Sequence, residues 1–342
     1  MKPQEDSGNR MKQTDARSGY GPENAAPRPA AGRCSDERAF GRQAAARVAL
    51  VRARAARGLD EDMVPLAAAL SARGLEPQIV EWDDPEVSWP EYELALLRST
   101  WDYTERLGEF RTWLASVARQ TRLHNPQSLA LWNTDKHYLR ELAELGIPTV
   151  PSEFIEPGED PATAVEAFLS RQSCAELVVK PAVGAGSRGA RRLARSRAAE
   201  AVAHAQGLLS AGRSVLLQPY LADVDRNGET ALVYFAGRLS HAIRKGPLLR
   251  PGEDPTRALF APEHITPRVP EQAQGQLGAR VLDALLSAGR SAGMPLYARV
   301  DLLRDPRGAP LVLELELAEP SLFLGFAHDA AARFALEIAR LL

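Results

Sequence analysis

The sequence predicts an α/β domain built on a parallel sheet, followed by an α+β domain dominated by antiparallel sheet. Three observations lead there. From Arg47 to about residue 125, short apolar runs alternate with 3.6-residue patterns, the sequence form of parallel strands joined by crossover helices. In the later half, several apolar runs follow one another across short turns such as Phe235-Ala236-Gly237-Arg238, which is hairpin chemistry. Residues 1–44, rich in Gly, Pro, Ala and Arg, show neither periodicity and read as a disordered extension that cannot bury enough surface to offset ordering.

The elements follow in order. Arg47 to Val51 reads as a strand, and a helical pattern from Asp60 to Arg73 stops at Gly74, a suitable C-terminal cap. Strands are expected at Pro77 to Glu81 and Tyr92 to Arg98, and a helix at Arg106 to Arg119. After Asn125-Pro126 a helix carrying Asp135, Lys136 and Leu139 runs towards Gly146, and a strand starts at Thr149. Then come strand Glu153 to Ile155, helix Pro161 to Arg171 and strand Leu177 to Lys180, ending in a glycine-rich loop. Further strands are expected at Ala190 to Leu193, Val215 to Gln218, Glu229 to Phe235, Arg238 to Arg244, Ala298 to Leu303 and Leu311 to Glu316. The resulting domains are 45–125, 126–218 and 219–342, with no internal repeat.

A chain of 342 residues, 45% hydrophobic and 25% charged, has room for two or three packed subdomains. Its 42 basic and 44 acidic residues give a net charge of -2 and no one-signed field to attract nucleic acid or an anionic membrane. Small molecules are therefore the expected partners, with homo-oligomerisation left open. Cys34 and Cys174 offer neither a disulfide framework nor a metal-ligand spacing, which points to a reducing compartment. With no long apolar run and no apolar core after the first basic residues, a cytoplasmic location is expected.

Several constellations could carry chemistry. Lys180 at a strand end precedes Gly184, Gly186, Ser187 and Gly189, where glycines bring backbone N–H groups close to an anion and the lysine adds a point charge. Neither a Walker A loop nor a dinucleotide fingerprint is present, and a plain flexible hairpin fits the loop as well. Glu314 and Glu316 project from one face of a strand, and two such carboxylates repel unless a cation neutralises them. Asp301 on a neighbouring strand would complete an oxygen-rich site for Mg²⁺; an ordinary solvated strand face is the alternative. Gln218, Tyr220 and Leu221 flank a proline that interrupts a strand, leaving backbone groups free for an adenine ring. Arg98, Ser99 and Asp102 follow a parallel strand at its carboxyl end, where open α/β sheets bind ligands. Trp101 and Tyr103 beside them suit ligand contact or domain core equally. Arg244 and Lys245 close a strand and could meet phosphate or a substrate carboxylate. No Ser-His-Asp order, HExxH or GxSxG supports a hydrolase.

Taken in order, these pieces resemble the ATP-grasp superfamily. The resemblance implies that Lys136 and Lys180 hold ATP, that Gln218 to Leu221 form the adenine hinge and that Asp301, Glu314 and Glu316 bind Mg²⁺, or Mn²⁺ in its place. Many members carry Asn where this chain has Glu316, which makes the metal site more negative. LLRSTWDY (Leu96 to Tyr103), HNP and LWNTDKHYL (His124 to Leu139), SHAIRKGP (Ser240 to Pro247) and ELELAEPSLFL (Glu314 to Leu324) are similar to the cycloserine synthetase branch, the O-ureido-serine cyclo-ligases of antibiotic biosynthesis. The likeness covers about residues 46 to 342. It implies an ATP-grasp fold and an ADP-forming ligase in which a carboxyl-like group becomes an acyl phosphate and an amine displaces the phosphate. Within that reading, Arg299 is the candidate to stabilise the transferred phosphoryl or the tetrahedral intermediate. Ring closure, intermolecular ligation of the peptide or glutathione-synthetase kind, phosphotransfer alone and a non-catalytic ATP sensor remain open at this point.

Overall fold

The computed structural model describes residues 45–256, 258–259 and 263–342. The expected extension at 1–44 lies outside the described residues.

Strand β1 (Arg47–Arg52) leads into helix α1 (Met63–Ser71) and strand β2 (Glu76–Glu81); β3 (Leu94–Leu97), α2 (Leu107–Val117) and β4 (Arg122–His124) follow. The four strands form one sheet in the order β2-β1-β3-β4, and every pairing in it is parallel. Because β1 and β3 are covered on both faces, they are apolar without alternation, as Val48 to Val51 and Leu94 to Leu97 show. One face packs Leu66 and Leu70 against Phe334 and Ile338 near the C-terminus, and the other packs Trp82, Phe110 and Trp89.

Helices α3 (Gln127–Asn133) and α4 (Tyr138–Glu144) then lead to β5 (Glu153–Ile155), α5 (Pro161–Arg171), β6 (Glu176–Pro181), β7 (Arg191–Ala194), α6 (Ala198–Ser210) and β8 (Val215–Pro219). The continuous helix expected through Lys136 is instead two helices. Asp135 Oδ1 accepts the His137 N–H at 3.1 Å, and the Lys136 N–H goes to Ala182 O at 2.9 Å, so the backbone leaves the helical ladder there. Strands β5-β8-β6-β7 make a wholly antiparallel small sheet, backed by Phe168, Val165 and Ala205 of α5 and α6.

The C-terminal part comprises α7 (Val224–Asn227), β9 (Glu229–Phe235), β10 (Arg238–Lys245), β11 (Ile265–Arg268), α8 (Gln272–Ser287), β12 (Tyr297–Arg304), β13 (Pro310–Glu316) and α9 (Ala330–Ala339). Its sheet runs β11-β10-β9-β12-β13, also antiparallel throughout. Helix α8 opens with a reciprocal Glu271–Gln274 capping box and lays Leu277, Val281 and Leu285 on this sheet. Thr149, expected to start a strand, makes a single parallel bridge to Val312. Among the described residues no helix is long and apolar enough to cross a membrane.

Candidate active site

A cavity of roughly 700 Å³ opens between the small sheet and the C-terminal sheet. The elements that wall it are fixed by side chains that bond backbone. Asn133 donates to Leu315 O at 2.7 Å and accepts from Leu317 N at 2.6 Å, while the Tyr138 hydroxyl accepts from Leu315 N at 3.0 Å. Asn125 donates to Tyr297 O at 2.8 Å and Leu317 O at 2.7 Å. Four backbone groups of the segment after Glu314 are thus held from the 125–138 stretch, and Glu314 and Glu316 face the cavity as a consequence.

Lys136 reaches in from the break between α3 and α4. Its ammonium donates to Gly184 O at 2.6 Å and pairs with Glu314 Oε1 at 2.8 Å. Burial works against the charge, but Glu314 with Glu316 and Glu319 outweighs it and raises the Lys136 pKa. Lys180, at the end of β6, makes no ion pair among the described residues. Burial, with Lys136 and Lys245 adding repulsion, lowers it to about 8. The loop that follows puts Gly184, Gly186 and Ser187 on the cavity wall. Gly186 and Gly189 have φ of 59° and 73°, and Ser187 takes φ 61°, a conformation rare for a residue with a Cβ. At Gly189 a Cβ would also stand 3.3 Å from Pro181 Cδ, so the loop needs glycine there twice over.

At the other end of β8, Gln218, Tyr220 and Leu221 line the same cavity. The Gln218 side chain is spent on Ser152 Oγ at 2.9 Å. Arg192 lies beneath Tyr220, its guanidinium 3.6 Å from the ring centroid. It grips both oxygens of Glu176, at 3.0 and 2.5 Å, and both of Asp225, at 3.1 Å each, and donates to Leu249 O at 3.3 Å. In the sequence nothing marks Arg192 beyond its place next to Arg191 in a basic run.

The acidic side is more intertwined. Asp301, 1% exposed, accepts from Lys245 at 2.6 Å and from Arg299 Nε at 2.9 Å. Burial alone would raise its carboxyl, but Arg299 and Lys245 hold it well below the usual range. Arg299 also donates to Ser321 O at 3.0 Å, pairs with Glu316 and lies over the Phe323 ring. Glu316 is nonetheless pushed up to about 8 by burial beside Glu314 and Asp301. Glu319, a wall residue absent from the sequence expectations, rises to about 7 through burial.

Most expected residues therefore meet here: Lys136, Lys180, the loop, the hinge, Lys245, Arg299, Glu314 and Glu316. Others do not. Asp102 accepts from Trp82 Nε1 at 2.9 Å, and Arg244 donates to the carbonyls of Asn227 and Arg226 at 2.9 and 3.2 Å. Arg98 and Ser99 are buried behind the wall, with Arg98 3.5 Å from Asp62. Asp301 is not brought to Glu314 and Glu316 as a ready metal cage, and among the described residues no three His, Cys, Asp or Glu side chains form one. The remaining pair still suits a hard divalent cation: both are oxygen donors, and burial next to other carboxylates leaves Glu316 short of positive charge.

A small antiparallel sheet and a larger one enclosing two lysines, a glycine-rich loop and an E-x-E strand define an ATP-grasp ligase, an enzyme that joins carbon to nitrogen at the expense of ATP. Residues 48–125 match the family described as the D-cycloserine synthetase DcsG N-terminal domain. The cycloserine biosynthesis protein DcsG of Streptomyces lavendulae is 41% identical over 283 residues, 82% of this chain and 94% of that protein. This chain belongs to the DcsG family. The crystal structure of D-cycloserine synthetase DcsG superposes with a TM-score of 0.80 at 39% identity, covering 86% of this chain and 99% of that one. D-alanine–D-alanine ligase from Bacillus anthracis, at 15% identity, shares the fold with a TM-score of 0.58 over 87% of this chain and 99% of its own.

Proposed function

We propose that the chain closes a ring on a small amino-acid derivative of the O-ureido-serine type. ATP phosphorylates the substrate carboxyl, and a nitrogen of the same molecule attacks the acyl carbon and releases phosphate. The observation that carries this reading is the 41% identity, across 94% of its length, to a protein named for cycloserine biosynthesis.

The residues divide the work by charge. Lys136, Lys180 and the amides of the Gly184 to Gly189 loop face the phosphates, and the backbone at Gln218 to Leu221 faces the adenine. Glu314 and Glu316 are the residues to hold magnesium, with Asp301 behind them. Magnesium, when bound, offsets phosphate charge as the phosphoryl group is transferred. Arg299 is fixed by Asp301, Glu316 and Ser321 O, so its guanidinium is oriented before charge develops on the acyl oxygen. The walls keep water from an intermediate that it would hydrolyse.

The test is turnover of ATP with O-ureido-serine of either configuration, reading ADP, phosphate and the organic product by mass. A cyclic product formed without any added amine is the expected result. A requirement for a second amine would make the enzyme an intermolecular ligase, and a stable phosphorylated product would make it a phosphotransferase. ATP binding without turnover would leave a sensor.

A further inference from the structure

Resting on the ring-closure reading, we infer that Glu319 is the general base that removes the proton from the attacking nitrogen. The reaction needs such a group. As the nitrogen lone pair adds to the acyl carbon and the carbon–oxygen bond to phosphate breaks, the nitrogen must lose a proton, which passes to the Glu319 carboxylate.

Of the acids on or behind the cavity wall, Glu61 and Glu263 make no ion pair among the described residues but are exposed, and the buried ones around Lys136, Lys245 and Arg299 are committed but for one. Asp301 and Glu229 both contact Lys245, Glu314 pairs with Lys136, and Glu316 pairs with Arg299. Glu319, 7% exposed and on the cavity wall, makes no ion pair among the described residues. A base must be free to accept, and a carboxylate locked to an ammonium accepts poorly. Its backbone is fixed, since Trp101 Nε1 donates to Glu319 O at 3.0 Å. The Tyr103 phenol stands beside its carboxylate, and burial with Glu319 next to it raises the Tyr103 pKa well above its ordinary value, so Tyr103 remains the donor.

The groups facing Glu319 are Tyr103 from the turn after β3, Lys136 from the α3–α4 break, Glu314 from β13, and Arg299 and Tyr297 from β12. Burial and Glu314 favour the neutral acid, while Tyr103, Lys136 and Arg299 favour the anion. The balance lies near 7, where a base has both a useful charged fraction and a useful affinity for the proton.

The experiment compares wild type, Glu319→Gln and Glu319→Asp on O-ureido-serine with Mg·ATP, with and without hydroxylamine. Hydroxylamine captures an acyl phosphate as a hydroxamate without help from a protein base. The expected result is a fall in ring-closure kcat of about 10²-fold or more in Glu319→Gln, with hydroxamate formed at least as fast as in the wild type. Partial recovery in Glu319→Asp, and loss in Glu319→Gln of the rise in kcat through pH 7, complete it. Ring closure in Glu319→Gln within about threefold of wild type overturns the inference, as does a rise in substrate KM at constant kcat or loss of hydroxamate together with product. Absence of hydroxamate from the wild type and from both variants instead removes the acyl phosphate, and with it both readings.

Discussion

Lys245 on β10 donates to Asp301 Oδ2 on β12 at 2.6 Å across the intervening strand β9, and the same ammonium contacts Glu229 directly across the β9–β10 ladder. Side-chain exposure is 7% for Lys245, 1% for Asp301 and 10% for Glu229, so one cation neutralises two acids away from water. Removing one member of a buried ionic cluster is costly because the others stay behind uncompensated. Lys245→Met is expected to cost about 3 kcal/mol or more. For a chain of this size that is on the order of 6 °C or more in Tm, read by thermal denaturation. Adding Glu229→Gln should recover part of the loss, and a double variant no more stable than Lys245→Met would show that charge is not the cause.

Arg192 sets up a second expectation, this one in binding. Its planar fork satisfies Glu176, Asp225 and Leu249 O while its face supports Tyr220. Lysine can keep the charge but neither the two bidentate contacts nor the stacking. Arg192→Lys should therefore raise the KM for ATP by about tenfold, equivalent to roughly 1.4 kcal/mol, with a small change in kcat at saturating ATP. Steady-state kinetics at varied ATP decides it; an unchanged KM would mean that the hinge is held without Arg192.

The order of strands and the sheet types were legible because β1 and β3 are continuous apolar runs and several later strands follow one another across short turns. Helices α6 and α9 were not legible because their alanine-rich stretches set few large apolar residues at helical spacing, and α8 was not legible either, though it carries a capping box. Lys180, Glu314 and Glu316 were legible from strand position and spacing, Lys136 only from the resemblance to ATP-grasp proteins, and all four reach one cavity. Spacing gives the face of a strand but not the depth of a side chain, so Asp102 and Arg98 were expected at the ligand, yet Asp102 is half-buried against Trp82 and Arg98 is buried beside Asp62. Asp62 and Glu319 were invisible for another reason: what they do depends on residues far away in the chain, 260 positions in the contact between Asp62 and Leu322.

That contact yields a further prediction. The Asp62 carboxylate accepts backbone N–H groups of Leu322 at 2.6 Å, Phe323 at 2.9 Å and Leu324 at 2.6 Å. It thereby ties the start of α1 to the turn where Phe323 has φ 51° and Ser321 O receives Arg299. Asp62→Ala would leave three amides without acceptors at a cost of roughly 3 kcal/mol or more. Activity should fall further than stability explains, because the turn that aims Arg299 is released. Measuring kcat well below the variant's Tm separates the two effects; wild-type kcat there would show that Arg299 needs no such support.

With Lys180 at the phosphates, as proposed, ATP affinity is expected to depend on pH, and the sign follows from its surroundings. An unfolded chain holds this proton up to about 10.4, whereas in the folded, nucleotide-free protein burial and the nearby Lys136 and Lys245 lower the value to about 8. Keeping the ammonium below pH 8 thus costs the free protein stability, and the penalty shrinks as pH rises from about 8 towards 10.4. Phosphate reverses the preference: it binds the ammonium and raises its pKa, so ATP must bring a proton with it above pH 8. The Kd for Mg·ATP is expected to be flat from pH 7 to near 8 and then to rise by up to about tenfold per unit. Calorimetric titration at pH 7, 8 and 9, in buffers of different ionisation heat, reads both the affinity and the proton taken up. Lys180→Met should bind more weakly at pH 7 and lose the pH dependence, because the group that must be charged is gone. Proton uptake that persists in this variant would place the titrating group elsewhere.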